Sequence, residues 1–514
     1  MATIINKLNN HPLIAAVVVT LAGALSTLSF SPFEFWPAAL LSIYLFIYVL
    51  QKKQLQRGFW LGWLYGLGMF GTGSSWVYVS IHIHGNAPVL LALLLTTIWT
   101  ILLALLPALF AFCYLYFLAA HRGAILFGFP ALWVLFEWLR SWLLTGFPWL
   151  YLGYSSIDTW LAGWAPIGGV YLLSLALSFS AAGIFLTCHH PNNRIKLITI
   201  LMVASLWLGG LAFKKIEWTS SDSSRIIKIG IVQANIAQQL KWNPNYYATT
   251  LGIYQNMTMR LLDSDIIIWP EAAIPNYYQN AQKFLLPVSE KLKKNNITLI
   301  TGIPFLSTDN GNLKVHNSIA AMGNGEGIYH KQQLVPFGEY VPMESFLRGL
   351  IEFFDLPMSS FSPGEPNQDL LLAGKYQFAP FICYEIVYPD LVRNFARDAD
   401  FLITVSNDSW FGASIGPLQH LQMARMRALE NGKYLIRSTN NGISAIVDQK
   451  GKIKSQSKQF VAQSLEGDLQ IVRGQTPFSL IGSLPVLLFC IALLACIILK
   501  KPNYKNIPSK KYLQ

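Results

Sequence analysis

The stretch YQFAPFICYEIVYPD, residues 376 to 390, decides how the largest water-soluble part of this chain is interpreted. An apolar run of strand-forming residues ends at a single cysteine, Cys383, and an acidic residue, Glu385, follows. The stretch DIIIWPE (265–271) has the same form and ends in Glu271. Short apolar strands of this kind, separated by helical patterns such as 417–432, predict an α/β layered fold.

The rest of the chain has the composition of a membrane protein. Of its 514 residues, 53% are hydrophobic and 12% are charged, whereas soluble domains average about 25% charged residues. Eight apolar segments approach or exceed the length of about 20 residues that crosses a bilayer. They lie near residues 12–30, 36–51, 59–80, 88–119, 123–145, 168–187, 196–213 and 477–499. The predicted organisation is a membrane domain of seven helices over 1–213, a globular domain over 216–476, an eighth helix over 477–499 and a basic tail over 500–514.

The positions of Lys and Arg orient these predicted spans, because basic residues in short loops stay on the cytoplasmic side. The loops near 31–35, 81–87 and 146–168 contain neither Lys nor Arg. The alternate loops and the tail carry the basic residues, so both termini are expected in the cytoplasm and the globular domain on the outer side. The basic set before the globular domain comprises Lys7, Lys52, Lys53, Arg57, Arg122, Arg194 and Lys196.

Charge and cysteine content argue against nucleic-acid binding by the globular domain and exclude a disulfide within it. The net charge of +12 is explained by the cytoplasmic loops and tail. The domain carries no basic stripe interleaved with aromatic residues, so nucleic-acid binding is not expected. Of five cysteines, only Cys383 lies in this domain, which excludes a disulfide within it. In an oxidising compartment an unpaired thiol is a liability unless it is buried or used.

Three reactive side chains fall at or near the ends of predicted strands, where catalytic groups of α/β folds lie. Glu271 closes IIIWPE, Lys331 lies in IYHKQQLVPFGEY, and Cys383 closes FAPFIC. Singly, each has a simpler interpretation: an acid at a helix start, a surface lysine and a buried inert thiol. Together they meet a chemical requirement. A thiol that attacks a carbonyl needs a carboxylate to take its proton and a cation to stabilise the anion.

The motifs around these residues resemble those of a known family. WPEAAIP (269–275), YHKQQLVPFGEYVP (329–342), FICYEIVYPD (381–390), SNDSWFG (406–412) and RSTNNGIS (437–444) are similar to the outer domain of apolipoprotein N-acyltransferases. FSPFEFWP (30–37) and GFPWLYLGYSS (146–156) resemble the membrane part of the same family. The order Glu, Lys, Cys is that of the nitrilase superfamily. The resemblance implies a polytopic α-helical membrane bundle with an outer nitrilase-like α-β-β-α sandwich.

The resemblance also implies a reaction. A fatty acyl chain passes from a membrane phospholipid, typically phosphatidylethanolamine, through a cysteine thioester to the α-amino group of the diacylglyceryl-cysteine that begins an apolipoprotein. The enzyme is expected in a bacterial inner membrane with its catalytic domain in the periplasm. No metal or other cofactor is implied, and the sequence has no HExxH or paired CxxC motif. The implied roles are Glu271 as general base, Lys331 as oxyanion-stabilising cation, Cys383 as nucleophile, Glu339 as the acid that orients Lys331, and Trp242, Tyr384 and Glu385 in substrate handling.

Two alternatives remain from the residues themselves. A membrane-anchored carbon–nitrogen hydrolase, an amidase or nitrilase, has the same three groups and passes the thioester to water. The aromatic outer loops favour a lipid substrate over this reading. A transporter or receptor with a ligand-binding outer domain is disfavoured, because the chain shows no internal repeat or paired broken helices.

Three further features have open interpretations. Glu137 and Arg140 share a helix face within a predicted span, and they are either a structural ion pair or a site that admits phospholipid head groups. His82 and His84 are interpreted as interfacial polar residues rather than metal ligands. The segment 353–368, FFDLPMSSFSPGEPNQ, is hypothesised to be a mobile lid or a membrane-dipping loop.

Overall fold

The computed structural model describes residues 11–309, 311–341 and 360–500. Internal contacts divide the chain into two compact units. The first comprises 1–81, 88–216 and 481–514, and the second comprises 82–87 and 217–480. Within the described residues the first unit is helical, and the second contains the β-sheets.

The helical unit consists of apolar helices, several of which begin with proline in the first turn. Proline suits this position because its missing N–H has no helical acceptor there. The helices are α1 (Pro12–Leu25), α2 (Pro37–Leu50), α3 (Leu55–Gly73), α4 (Trp76–Val79), α5 (Val89–Leu103), α6 (Leu105–Cys113), α7 (Phe129–Trp142), α8 (Ala165–His189) and α9 (Asn193–Phe213), with Pro477–Ile481 and Leu484–Ile498 near the end of the described chain.

Five helical segments in the described part of the chain are long and apolar enough to cross a membrane. Two shorter apolar helices, Pro37–Leu50 and Leu484–Ile498, accompany them, and α3 has 19 residues. Each of the eight predicted segments therefore contains a helix, while the count of eight crossings stays a prediction. The five segments are Pro12–Ser29, Val89–Leu118, Ala124–Thr145, Trp160–His189 and Asn193–Phe213.

Two predicted spans differ from the structure in their bounds. The sixth is predicted to begin at residue 168, but α8 begins at Ala165 and contains non-helical angles at Gly168 and Gly169 (φ −139° and 66°). The eighth, predicted as one helix over 477–499, is divided at Gly482, which has a φ of 68°. Apolar content carries no information about backbone breaks, and glycine adopts these angles without steric cost.

The second unit contains two sheets. One has the strand order β13-β1-β2-β3-β4-β6 and the other β12-β11-β10-β9-β8-β7-β5, where the strands are β1 (Thr219–Gln233), β2 (Ile266–Ile268), β3 (Thr298–Asp309), β4 (Asn312–Gly323), β5 (Gly325–Glu326), β6 (Ile328–His330), β7 (Leu371–Ala373), β8 (Tyr376–Ile382), β9 (Phe401–Ser406), β10 (Leu435–Thr439), β11 (Ala445–Val447), β12 (Ile453–Gln456) and β13 (Gln463–Gly474). The helices are α10 (Gln238–Lys241), α11 (Tyr247–Thr258), α12 (Tyr278–Lys294), α13 (Pro389–Ala396) and α14 (Gly416–Asn431).

The sheets lie between helices. The sheets contact each other through β1 with β10 and β4 with β8, while α12 packs on β3 and β4, and α13 and α14 pack on β8 and β10. The order is therefore α-β-β-α. Strand β9 is buried along its whole length, as expected for a parallel strand between its neighbours with both faces covered.

Parallel pairing gathers strand ends at one place. In the first sheet β2 is parallel to β1 and β3, and in the second β9 is parallel to β8 and β10. The carboxyl ends of parallel strands lie at one edge of a sheet, where α/β proteins build their sites. The predicted strands that end near Glu271 and Cys383 and the predicted helix at 417–432 are confirmed, and Gly432 ends that helix in the left-handed conformation.

Candidate active site

The three predicted reactive residues lie close to strand ends of the second unit. Glu271 follows β2 after Trp269 and Pro270, Lys331 follows β6, and Cys383 follows β8 directly. The structure brings Glu271 and Lys331 together, with 3.9 Å between Oε1 and Nζ, and both side chains are buried. The Cys383 thiol is close enough for the charges of both to act on it.

Lys331 is held as a cation by Glu339. Its Nζ donates to Glu339 Oε1 at 2.8 Å and lies 2.7 Å from Oε2. Burial alone lowers the pKa of Lys331, but the carboxylates of Glu339 and Glu271 outweigh burial and raise the pKa above the ordinary lysine value. Lys331 is therefore a fixed positive charge and not a proton acceptor near neutral pH.

Asn317 on β4 links the two carboxylates. Its Nδ2 donates to Oε1 of Glu271 and to Oε1 of Glu339, each at 2.8 Å. The other Glu271 oxygen, Oε2, accepts the backbone N–H of Asn407 at 2.7 Å. Hydrogen bonds to a charged group are stronger than those between neutral groups. The orientation of Glu271 is therefore set by donors from both sheets.

The turn that carries Glu271 lies directly against β3. A Cβ on Gly302 would come within 2.6 Å of Glu271 Cα and of the Pro270 carbonyl oxygen, and the Gly302 carbonyl accepts the N–H of Ala273 at 2.8 Å. Only glycine fits at this contact, since heavy atoms 2.6 Å apart overlap. Gly302 thus sets the distance between the turn and the sheet.

Cys383 has a strained backbone conformation, and its carbonyl oxygen contacts a buried hydrogen-bond network of His420, Arg437 and Asp408. Its φ of 53° is uncommon for a residue other than glycine. His420 Nε2 lies 3.1 Å from the Cys383 carbonyl oxygen. Arg437 Nη2 donates to His420 Nδ1 at 3.0 Å and to Asp408 Oδ2 at 2.7 Å. Because arginine only donates, Nδ1 is the acceptor and Nε2 carries the proton given to Cys383.

The environment of Cys383 keeps the resting thiol protonated. Burial raises its pKa, the negative charge of Glu271 raises it further, and Lys331 only partly opposes them. A thiol in this state attacks a carbonyl only if a base removes its proton during the attack. Glu271 is the carboxylate placed to do so. The cluster thus has the three groups that a thiol nucleophile requires.

Comparison with known proteins agrees with this arrangement. The profile of the apolipoprotein N-acyltransferase N-terminal domain matches residues 22–183, and that of the carbon-nitrogen hydrolases matches residues 228–476. The apolipoprotein N-acyltransferase of Pseudomonas syringae pv. tomato is 44% identical over 477 residues, which cover 92% of this chain and 94% of that protein. This chain belongs to the apolipoprotein N-acyltransferase family.

Two further proteins are similar to this chain, one at 40% and the other at 20% sequence identity. The apolipoprotein N-acyltransferase of Coxiella burnetii is 40% identical over 90% of this chain and 95% of that protein. The crystal structure of Saccharomyces cerevisiae Nit3, a member of branch 10 of the nitrilase superfamily, covers 49% of this chain and 93% of its own, with 20% identity and a TM-score of 0.37. The predicted membership of the apolipoprotein N-acyltransferase family, with a nitrilase-like domain and apolar N-terminal helices, is confirmed.

In this N-acyltransferase, Glu385 has an environment different from the expected one. The sequence predicts a role in substrate handling, but the side chain is fully buried. Its Oε1 accepts the Tyr329 hydroxyl at 2.8 Å and the N–H groups of Gln332 and Gln333 at 2.7 and 3.2 Å, and its Oε2 accepts the Ile382 N–H at 2.8 Å. Glu385 therefore ties the chain after Lys331 to the residue before Cys383. This geometry favours a positioning role.

The other two predicted substrate residues border the cluster. The Tyr384 ring packs edge-on against Tyr388 at 5.3 Å. Trp242 follows α10 directly, is half-buried, and has an indole Nε1 with no hydrogen-bond partner among the described residues. A buried donor without an acceptor is costly. Trp242 is thus the better placed of the two to donate to a ligand.

Four polar residues of the N-acyltransferase site are absent from the sequence-based prediction. They are buried groups whose partners come from distant parts of the chain, so spacing does not reveal them. The available signal is a polar side chain inside or beside an apolar strand, as in VHNSIAAM (315–322). The four are Asn317, Asn407, His420 and Lys241, whose Nζ donates to the Glu271 carbonyl oxygen at 2.9 Å.

Glu137 and Arg140, the charged residues of the fifth predicted span, form hydrogen bonds to the backbone of an adjoining loop in the helical unit. Glu137 Oε1 accepts the Leu152 N–H at 2.7 Å, and Arg140 Nη2 donates to the Leu150 carbonyl oxygen at 3.4 Å. Among the described residues no ion pair within 4.0 Å joins Glu137 to Arg140, so the ion-pair reading lacks a direct contact. Both residues also line an apolar cleft, and the head-group role stays a prediction.

Two other predicted features are the histidines His82 and His84 and the hypothesised lid, residues 353–368. His82 and His84 belong to the second unit, where the His84 ring packs against Trp410 at 5.8 Å. Among the described residues, no group of three or more His, Cys, Asp or Glu side chains is arranged as metal ligands. Of the hypothesised lid, 353–359 lies outside the described residues. In its described part, the Gly364 N–H donates to the Lys331 carbonyl oxygen at 2.7 Å.

Proposed function

We propose that this chain transfers a fatty acyl chain from a phospholipid to the N-terminal diacylglyceryl-cysteine of apolipoproteins, by a ping-pong mechanism through a thioester on Cys383. The observation that carries the proposal is the cluster of buried Glu271 and Lys331 with the partly buried Cys383, in a member of the N-acyltransferase family. The proposed catalytic residues are these three, with Glu339 as support. Phosphatidylethanolamine is the proposed donor, and the product is a triacylated lipoprotein.

The first half-reaction forms the thioester. As the Cys383 sulfur attacks the ester carbonyl of the phospholipid, its proton moves to Glu271. Lys331, fixed by Glu339, stabilises the oxyanion of the tetrahedral intermediate. The intermediate collapses by breaking the carbon–oxygen bond to glycerol, and the leaving oxygen takes the proton from Glu271. A lysophospholipid departs and the acyl chain stays on sulfur.

The second half-reaction forms an amide. The α-amino group of the acceptor attacks the thioester carbonyl, and Lys331 again stabilises the oxyanion. Collapse breaks the carbon–sulfur bond and leaves the electron pair on sulfur. Cys383 regains a proton, and the acyl chain is now on nitrogen. Water attacking the same thioester would release a free fatty acid, which is the outcome expected of a hydrolase.

The proposed membrane arrangement places this chemistry where both substrates are. Eight spans, with seven over 1–213 and one over 477–499, keep both termini and the tail (500–514) in the cytoplasm and the catalytic domain (216–476) in the periplasm. Lys and Arg in alternate loops support this orientation. Each buried CH₂ of a lipid chain contributes about 0.8 kcal/mol of membrane affinity, so neither substrate leaves the bilayer readily and the thiol has to be held at its surface.

The test is the intact mass of the purified protein after incubation with phosphatidylethanolamine, compared between wild type and Cys383→Ala. We expect a hydroxylamine-labile increase of one acyl chain on wild type alone, which is lost when a diacylglyceryl-cysteine peptide is added and becomes acylated. Free fatty acid as the main product, with no acylated peptide, would indicate a hydrolase. No adduct on either protein with accessible lipid would reject the thioester mechanism.

A further inference from the structure

Amide formation releases a proton for which Glu271, Lys331 and Cys383 provide no acceptor. An α-amino group has a pKa of about 7.7–8.0, so much of the acceptor is an ammonium ion near pH 7. Conversion of an ammonium ion into an amide removes two protons from nitrogen. One of them returns to the Cys383 sulfur as it leaves. The other needs a second base, whereas water attacking the thioester starts from a neutral molecule.

The catalytic cation does not supply this base. Lys331 contacts Glu339 at 2.7 Å and Glu271 at 3.9 Å, and these carboxylates keep its ammonium form stable. A second proton acceptor therefore has to be another group beside the thioester.

Lys241 is a buried amine beside the same residues. It ends α10, its side chain is 3% exposed, and its Nζ donates to the Glu271 main-chain oxygen at 2.9 Å. Among the described residues this is its one hydrogen bond, and no carboxylate lies within 4.0 Å of Nζ. An ammonium group has three N–H donors, so the charged form would be left with unsatisfied donors. Burial with a single acceptor destabilises the ammonium form relative to an ordinary lysine.

The position of Lys241 is fixed by the site itself. Gln238, on the same helix α10, accepts the side-chain N–H of Asn407 at 2.8 Å, and the Asn407 backbone N–H binds Glu271 at 2.7 Å. Trp242, next in the chain, presents an indole N–H without a partner in the described structure. Helix α10 thus holds the Lys241 amine beside the proposed base.

The electrostatics agree with the contacts. Burial lowers the pKa of Lys241 to about 8, although the negative charges of Glu271 and the Cys383 thiolate, the titratable groups that act on it, oppose the shift. This value is close to that of the acceptor's α-amino group, so a proton passes between the two amines at little free-energy cost. Lys241 therefore loses its proton far more readily than Lys331, because Lys331 has carboxylate partners and Lys241 has only a carbonyl oxygen.

We propose that Lys241 is the base that takes the second proton of the acceptor amine during amide formation, an inference that rests on the acyl transfer proposed above. The acceptor ammonium first passes one proton to the neutral Nζ of Lys241, which frees the nitrogen electron pair that then forms the carbon–nitrogen bond. The carbon–sulfur bond breaks with its electron pair going to sulfur, which takes the other proton by way of Glu271. The Lys241 ammonium group then releases its proton to water.

The test separates the two half-reactions in the full-length protein. Lys241→Met and Lys241→Arg are each acylated with phosphatidylethanolamine, and transfer from the isolated thioester to a synthetic diacylglyceryl-cysteine peptide is then timed by intact mass. Arginine keeps a donor for the Glu271 carbonyl but does not lose its proton. We expect both variants to transfer about 10²-fold or more slowly, with a much smaller loss in thioester formation. Thermal unfolding of both variants reports whether the fold is retained.

Two readouts distinguish a base from a structural lysine. Hydroxylamine is weakly basic and neutral at pH 7, so it should cleave the thioester of wild type and both variants at similar rates. Wild-type transfer should rise with pH until about 8, where Lys241 becomes neutral, and this limb should be missing in Lys241→Met. Titration of the acceptor amine is common to both proteins, so the difference between their profiles reports Lys241.

Lys433 provides a matched control. It is also buried, its Nζ donates to one main-chain oxygen, that of Ala399, at 2.7 Å, and burial lowers its pKa. Lys433→Met should leave the ratio of the two half-reactions unchanged. Equal losses in both steps for Lys241→Met and Lys241→Arg, or transfer at the wild-type rate, would reject the inference alone. Failure of wild type to form any thioester would reject the proposed function, and the inference with it.

Discussion

Replacing Asn317 by alanine tests whether the two carboxylates of the site depend on one shared donor. The side chain is 1% exposed, and its Nδ2 donates to Glu271 and Glu339 at 2.8 Å each. A hydrogen bond to a charged group contributes about 1.5–3 kcal/mol, so the substitution removes about 3–6 kcal/mol if the two bonds are independent. We expect about half of this in the barrier to thioester formation, which slows that step by about 10- to 10²-fold at about 1.36 kcal/mol per tenfold.

The assay is the rate of appearance of the hydroxylamine-labile adduct with phosphatidylethanolamine, followed by intact mass, with thermal unfolding measured in parallel. Asn431→Ala is the control, because Asn431 is fully buried and its Nδ2 donates to the Arg427 main-chain oxygen at 2.9 Å, on α14. Asn431→Ala should lower the unfolding temperature but acylate at nearly the wild-type rate. Equal rates for Asn317→Ala and Asn431→Ala would refute the argument that a shared donor orients the carboxylates.

Three further substitutions test other supports of the site. Gly302→Ala places a Cβ 2.6 Å from the turn that carries the proposed base. Because overpacking costs about 1–3 kcal/mol, this variant should form the thioester about tenfold or more slowly. Gly252→Ala is the control, since its Cβ meets nothing within 4 Å, and it should acylate at the wild-type rate. His420→Leu removes the donor to the Cys383 carbonyl and should be about tenfold slower than His420→Gln, which retains a donor; identical rates would count against the backbone support. Glu385→Gln turns an amide N–H₂ toward a backbone donor and should lower both the unfolding temperature and the acylation rate, and an unchanged unfolding temperature would contradict the positioning role.

The sequence predicts the reactive groups because their signal is local. Glu271 and Cys383 each close an apolar run, and a strand end is visible in a few residues. The family-specific motifs add the order in which these groups occur along the chain.

The supports of these groups were not predictable in the same way. His420 reaches the Cys383 carbonyl across 37 residues of chain, and Asn317 meets Glu271 across 46. Such contacts depend on how distant strands pair and how helices pack on the sheets, which a single sequence without its fold does not specify. Glu385 could not be interpreted from the sequence for the same reason. Its position two residues after Cys383 does not indicate that its side chain is buried and accepts hydrogen bonds from four donors.

The protonated state of the Cys383 thiol also affects how long it survives unmodified. Peroxides and disulfides react with thiolates, and the rate follows the thiolate fraction. If Cys383 is the nucleophile, as proposed, it ionises only when an ester carbonyl is in place and is therefore poorly reactive toward oxidants between turnovers, although no second cysteine in its unit is available to protect it as a disulfide. The same property limits chemical labelling: simple alkylating reagents should modify this sulfur slowly, whereas ester-like inhibitors that engage Glu271 and Lys331 should modify it quickly.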